Sequence, residues 1–341
     1  KLKSKMRNLI VTLTTSCNLK CVMCDWIRHE HWEIPAHTLE EVRSMFPYLE
    51  RVVWQGGEVF LYSGLKDLIK EAAMYPNLQQ VITTNGLLID EEWAELFVKS
   101  NVDLTFSIDG LTKEVYEGIR LGSDFELLIK NLNTFNEVKK KYNSNLNVNL
   151  HVVVMRSNHR QLDKYIEFAR KHDFRIVVFL PIGGNYDDPE NIFHPEDKKA
   201  MDHIAGLLPG IMERADKYDI LIENRLPVRV EQPCFENEEG INNFDKEPEE
   251  DKSSENMIEK KKLCHLPWIQ LYIDYDGYIR PDCVCLREEP VGQAEEDSLI
   301  KIWNNEKMQE YRKKMQKGNC SEICNADCTE GRVSERYLKF F

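Results

Sequence analysis

No run of apolar residues in this 341-residue chain reaches the roughly 18 needed for a helix to cross a bilayer, so no helical membrane span is expected within it. The first residues, KLKSKMRNLI, lack the apolar core and cleavage site of a secretory signal. They also lack an initiator Met, so a trimmed terminus and a missing leader both stay open. Basic residues are in short supply: 45 Lys and Arg stand against 58 Asp and Glu, a net charge of −13. That balance excludes a protein whose main task is gripping a nucleic-acid backbone. The stretches Arg156–Arg160 and Lys139–Lys141 read as solvated surface. There is no internal repeat. Ten cysteines are present, but gaps of two and three residues fit metal clusters in a reducing compartment better than a disulfide framework. The expectation is a cytoplasmic, air-sensitive protein that partners neither membrane nor nucleic acid.

The first two thirds of the chain alternate strand and helix signals. Strands are expected at Arg7–Thr14, Arg51–Gln55, Gln80–Asn85, Asp103–Asp109, Asn147–Met155 and Arg175–Pro181, each rich in β-branched residues. Helical spacing falls between them, first in HTLEEVRSMFPYL, with Thr38 as its cap and Glu40–Glu41 in its first turn. Later helices are expected at Leu65–Met74, Glu91–Val98, Phe125–Lys140, Leu162–His172 and Pro195–Lys217. Alternation of this kind implies a parallel sheet with right-handed crossovers. A curved version places its chemistry on the loops after the strands. From Glu231 to Asp251 there are nine acids and one Lys, which reads as an exposed linker or lid.

The loop after the first strand, TTSCNLKCVMCDW, carries Cys17, Cys21 and Cys24 at C-x3-C-x2-C spacing. Three thiolates are one short of a closed zinc or iron–sulfur site. Either His29 or His31 completes a zinc site, or a metal position is left open. A four-iron cube held by three cysteines has one iron free for a chelating amine and carboxylate. Neighbouring strands end in groups suited to such a molecule. WQGGEVF supplies Gly56 and Gly57 for close backbone approach and Glu58 for an ammonium. FSIDG supplies Ser107 and Asp109 for ribose hydroxyls, and Arg120 can pair with a carboxylate. Each has a plainer reading as turn, helix cap or surface ion pair.

The triplet, the GGE after the second strand and the SIDG after the fourth resemble radical S-adenosylmethionine (SAM) enzymes over about Arg7 to Cys328. The resemblance implies an α/β fold, a partial (β/α)6 TIM-like barrel. It implies a [4Fe–4S] cluster on Cys17, Cys21 and Cys24 that binds SAM. Glu58 with the Gly56–Gly57 backbone then holds the methionine amine, Ser107 and Asp109 the ribose, and Arg120 the carboxylate. Met23 takes the place of a large apolar residue near adenine. Val59 departs from the family's usual Pro after GGE. A flavodoxin- or ferredoxin-type electron donor is implied as a partner.

Six of the ten cysteines lie beyond Leu263. IQLYID and YIRP flank the turn signal YDG, as a hairpin. DSLIKIWNNEKMQEYRKKM reads as one amphipathic helix. Cys264 before the hairpin, Cys283 and Cys285 after it, and Cys320, Cys324 and Cys328 at the end resemble the SPASM or twitch extension of the same family. That extension implies at least one auxiliary [4Fe–4S] cluster. Six cysteines fall short of the full two-cluster pattern. One cluster on Cys264, Cys283, Cys324 and Cys328 is favoured, with Cys285 or Cys320 as substitutes. Two clusters, or a zinc knuckle, are the alternatives. The expected organisation is a core over residues 1–223, an acidic linker over 224–262, and a small hairpin-plus-helix iron–sulfur domain over 263–341. So small a unit is expected to need its metal as a staple.

Cys234 stands apart; it is either a small buried residue or a thiol that returns a hydrogen atom to a substrate radical. The function expected by resemblance is radical SAM modification of a ribosomal peptide or protein by cross-linking, oxidation or epimerisation. The absence of a visible leader-binding domain in this sequence weighs against that reading. Radical chemistry on a small metabolite, such as a sugar or aminocyclitol, is the second reading. A non-catalytic zinc module is the third.

Overall fold

The computed structural model describes residues 6–24, 30–183, 188–194, 196–228, 266–282 and 290–316. The elements in chain order begin β1 (Asn8–Thr12), β2 (Lys20–Cys21), α1 (Ala36–Met45), β3 (Arg51–Gln55), α2 (Leu65–Ala72), β4 (Gln79–Thr84), α3 (Glu91–Lys99) and β5 (Val102–Ser107). They continue with α4 (Lys113–Ile119), β6 (Arg120–Leu121), α5 (Phe125–Lys141), β7 (Val148–Val154), α6 (Tyr165–Lys171), β8 (Ile176–Pro181), α7 (Lys198–Lys217) and β9 (Leu221–Asn224). Then come α8 (Leu266–Ile269), β10 (Gln270–Ile273), β11 (Tyr278–Arg280), β12 (Gly292–Gln293), α9 (Leu299–Trp303) and α10 (Glu306–Gln316).

The six expected core strands form, in parallel, and lie in the order β1-β3-β4-β5-β7-β8 within one sheet. Sequential strands are neighbours because each crossover helix returns the chain one strand along. One face of this sheet is packed by the helices. Phe106 meets Phe135 of α5 and Phe174, and Phe179 meets Tyr165 of α6. Leu150 and Val152 share that face by register and are fully buried. The alternate residues Ser107, Asn149, His151 and Val153 therefore point to the other, inner face.

Four more strands join the sheet that the sequence reading did not place there, β9 at one end and β10, β11 and β12 at the other. β9 adds parallel to β8, so α7 makes a sixth crossover. β10, the first strand of the expected C-terminal hairpin, pairs in parallel with β1, from Asn8↔Gln270 to Val11↔Ile273. The hairpin itself forms as expected, antiparallel and turning at Gly277 with φ +75°. Its buried residues Leu271, Ile273 and Ile279 belong to the main core.

Two local expectations are corrected. Thr38 does not cap α1: the helix starts at Ala36 after Pro35, without a side-chain cap, and Thr38 is buried inside it. The expected single C-terminal helix is two, α9 and α10. Asn304 turns its amide onto Ile300 O at 2.9 Å, and Asn305 Oδ1 accepts from Met308 N–H at 2.8 Å. Asn side chains that bond nearby backbone in this way end one helix and start the next.

Candidate active site

The three cysteines lie on the loop that leaves β1, all free thiols. Cys21 is fixed by a second, two-stranded ladder: β2 pairs antiparallel with β6, setting Cys21 opposite Arg120. Arg120 Nη1 stands 3.8 Å from Cys21 Sγ, and Leu19 N–H donates to Cys17 Sγ at 3.3 Å. Burial pushes the Cys17 thiol up, and pushes Cys21 to about 11 against the pull of Arg120. Buried thiols of this kind ionise when a metal's charge replaces the lost hydration. Among the described residues no three His, Cys, Asp or Glu gather closely enough to grip a single ion. A cube needs no such convergence, since each thiolate takes a different iron. His31, weighed as a zinc ligand, has Nδ1 at 2.7 Å from Ser16 Oγ.

The glycine pair has a specific reason. A Cβ on Gly56 would lie 2.4 Å from Thr14 O, and one on Gly57 2.4 Å from Ser16 O. The N–H groups of Gly57 and Glu58 donate to those same two carbonyls, each at 2.8 Å. The GGE segment is thus clasped to the cysteine loop, and only glycine lets the two backbones meet.

That clasp sends Glu58 inward, where it is 1 % exposed. Thr84 Oγ1 donates to its Oε1 at 2.9 Å and Asn85 N–H to its Oε2 at 2.8 Å. Burial nevertheless raises its pKa to about 7, with Asn85, Thr84, the Phe60 N–H and Arg120 pulling the other way. A carboxylate so placed is ready for an ammonium. Asn85 also reaches Asn18 Oδ1 through its amide, at 2.8 Å, tying the end of β4 to the cysteine loop. Thr84 and Asn85 were legible only as the end of a strand, although the TTN stands where the carboxyl-end rule looks for a site.

Ser107 ends β5 on the inner face and is half-buried. Asp109 and Arg120 have found each other. Arg120 Nη2 is 2.6 Å from Asp109 Oδ2, and Val153 N–H donates to Asp109 Oδ1 at 2.8 Å. Burial raises the Asp109 pKa and Arg120 offsets part of that rise; Arg120 itself is held protonated by Asp109. Met23 packs with Ile119, Met155 and Ile182, a small apolar group at the carboxyl ends of the strands. Cys234, Cys264, Cys283, Cys285, Cys320, Cys324 and Cys328 lie outside the described residues, as does His29.

A parallel sheet with a three-thiol loop, a buried carboxylate and an apolar group at its carboxyl ends is a candidate site for a cluster and a cofactor. The family models agree. One described as the radical SAM superfamily matches residues 11–169, and one described as an iron–sulfur cluster-binding domain, SPASM, matches 264–329. The chain belongs to the radical SAM superfamily and carries a C-terminal SPASM domain. It is similar to the cysteine-type anaerobic sulfatase-maturating enzyme of Clostridium novyi, 27% identical over 216 residues, covering 57% of this chain and 56% of that protein. It is also similar to GTP 3′,8-cyclase of Clostridium perfringens, 26% identical over 187 residues, 51% of this chain and 56% of that one. The chain thus matches a little over half the length of these relatives. Among solved structures it superposes on Streptococcus suis SuiB bound to S-adenosylmethionine, with TM-score 0.63, 17% identity, and 89% and 66% of the two chains covered. It superposes on anSMEcpe with bound AdoMet with TM-score 0.62, 18% identity, and 95% and 89% covered. Those likenesses show the fold. The two family domains imply [4Fe–4S] clusters and SAM as cofactors.

Proposed function

We propose that the chain is a radical SAM enzyme that modifies a peptide or protein. The observation that carries the chemistry is the clasp between the cysteine loop and GGE, which joins three thiols to one buried, cation-seeking carboxylate. Cys17, Cys21 and Cys24 would hold a [4Fe–4S] cluster, which together with bound SAM would supply reductive SAM cleavage and radical hydrogen abstraction from the substrate. Glu58 receives the methionine ammonium, with Thr84 and Asn85 fixing its two oxygens. Arg120, aimed by Asp109, offers positive charge beside Cys21 and toward the methionine carboxylate. Ser107 meets the ribose, and Met23 with Met155 and Ile182 shelters the adenine. Asp109 acts here through Arg120 and the Val153 N–H, with any ribose contact secondary.

The peptide reading is supported by the sulfatase-maturating relative and by the fold shared with SuiB and anSMEcpe, solved with the precursor peptide SuiA and with the Cp18Cys peptide. The relatives named GTP 3′,8-cyclase favour the second reading, a small-molecule substrate. A cytoplasmic site, a flavodoxin- or ferredoxin-type donor, one auxiliary cluster on the C-terminal cysteines, and a hydrogen-donor role for Cys234 complete the proposal.

The test is anaerobic. The reconstituted protein is expected to bind about eight irons, from two four-iron clusters, and to form 5′-deoxyadenosine from SAM on reduction. Changing Cys17, Cys21 and Cys24 together to Ala should leave about half the iron and no 5′-deoxyadenosine. Zinc without iron, or unchanged iron in the triple variant, removes the reading. Co-production with short neighbouring reading frames, followed by mass spectrometry of the peptides, tests the substrate class; unmodified peptides beside a consumed metabolite favour the second reading.

A further inference from the structure

The inner face of the sheet carries polar atoms that the site above does not use. His151 is the register partner of Ser107, one strand further from the cysteine loop, and Glu223 follows on the same row two strands beyond, through Val178. Asn149 shares their face, two residues before His151. Asn149 Oδ1 and Glu223 Oε2 are buried and make no hydrogen bond among the described residues. The His151 ring makes none either; burial first, then Arg225 and Arg51, drive its pKa down to about 3, so it is neutral at any working pH. His151 is only half-buried as a residue. Arg51, on β3, also bears on the His151 ring.

Buried polar atoms without partners are rare in folded proteins and signal a missing partner. We propose that Asn149, His151 and Glu223 form a substrate subsite beside Ser107. It takes a hydrogen-bond donor, such as a hydroxyl, an amide N–H or an ammonium, and turns away phosphate and carboxylate. This rests on the radical SAM reading above and deepens it. An amide can turn either end to a ligand, and a neutral imidazole has one donor and one acceptor. Glu223 therefore decides the preference. Its Oε1 is held by Arg225 Nε at 2.5 Å, which leaves Oε2, an acceptor only, to face the ligand. Arg225 is paired with Glu223, and Arg51 acts on Asp103 as well as on His151. A triphosphate would set oxygen against oxygen; a peptide amide, a Ser or Lys side chain, or an amino sugar would not.

The cluster-loaded enzyme with SAM is the test, reading 5′-deoxyadenosine formed above each protein's own probe-free rate. The probes are decapeptide pools with one position fixed as Ser, Lys or Asp, then glucosamine, then GTP. Ser and Lys pools, or glucosamine, are expected to stimulate, while the Asp pool and GTP are not. Glu223→Gln should cut the donor response by about tenfold or more, the usual loss for a buried charge-assisted contact, and His151→Leu by about two- to tenfold, as for a neutral one. Iron content and far-UV circular dichroism check that the variants fold. Glu223→Gln keeps the side chain's shape, so it decides alone if His151→Leu fails to fold. A response to glucosamine but to no peptide keeps the subsite and removes the peptide reading. Stimulation by GTP or by the Asp pool, or one response profile common to wild type and the folded variants, overturns the subsite.

Discussion

Replacing Asp109 by Asn separates two roles that the sequence left entangled. Asp109 is fully buried and Arg120 nearly so, so solvent screens their 2.6 Å contact very little. Breaking a buried pair by removing one charge costs about 3–5 kcal/mol, because the surviving guanidinium is left uncompensated. A domain is stable by only about 5–15 kcal/mol, so the loss is about a fifth of the total or more. Asn keeps the size of the side chain and an oxygen for the Val153 N–H, so the effect belongs to the charge. Removing both charges, as Asp109→Leu with Arg120→Met, should restore most of the loss, since apolar replacements of buried pairs are often neutral. The assay is urea unfolding of the anaerobic enzyme, followed by tryptophan fluorescence, beside SAM affinity by equilibrium dialysis. The expected pattern is a large stability loss in Asp109→Asn that the double variant largely recovers. An Asp109→Asn protein that unfolds at the wild-type urea concentration, yet no longer binds SAM, would refute this reasoning and return the carboxylate to the ribose.

Glu58 gives a pH signature. Its folded pKa of about 7 exceeds the ordinary 4.5, so between those values the folded state alone holds the proton, and stability falls as pH rises through that window. The SAM-free protein should lose roughly 3 kcal/mol from pH 4.5 to 7 relative to Glu58→Gln, and little more above; parallel profiles for the two proteins would remove the ionisation argument. SAM binding should run the other way, weakening about tenfold from pH 8 to pH 6 as the carboxylate is protonated, and in Glu58→Gln this slope should vanish. Gly57→Ala should push the cysteine loop aside at a cost of roughly 1–3 kcal/mol, read as lost iron at the first cluster, and full iron loading would show that the clasp yields. Cys264→Ala should lose the auxiliary iron yet keep β10 protected in hydrogen exchange, and exchange of Leu271 and Ile273 at the unfolded rate would show instead that the cluster holds the strand.

Periodicity and short motifs carried much of the fold and part of the candidate site. The six core strands are continuous β-branched runs, a signal that needs no knowledge of partners. The cysteine triplet and GGE are local as well, and their clasp follows once both leave the carboxyl ends of adjacent strands. What stayed hidden depends on register across the chain. Asp109 and Arg120 are separated by α4 and meet only because β6 turns back onto β2. Thr84 and Asn85 gain their role from the side chain of Glu58, far off in sequence. β9 is four residues long and ends in Glu and Asn, so it lacks a strong strand signal. The break between α9 and α10 hangs on two Asn amides within an otherwise helical pattern, where competition between side chain and backbone is decided by local geometry.

The placement of β10 changes the reason the C-terminal region holds together. Read as sequence, one hairpin and one helix seemed too small to stand without a metal. In the fold they do not stand alone. β10 supplies the hydrogen-bonding edge that β1 would otherwise leave open, and an open parallel edge is a liability. Thr12 Oγ1 reaches Tyr272 Oη at 3.3 Å, and Tyr272 in turn donates to Asp274 at 2.8 Å, where Arg280 Nη1 also binds at 2.6 Å. Behind the strand, Trp303 and Met308 are fully buried in the same core as Leu9 and Val11. Arg312 fastens α10 to the lead-in of β10 by donating to Pro267 O at 2.8 Å and lies over the Trp303 ring at 4.2 Å. Each fully buried large apolar side chain contributes about 1.5–3 kcal/mol, so this half of the region is anchored by the sheet before any cluster binds. The described strand and helices of this region thus hold a fixed position relative to the site at the end of β1.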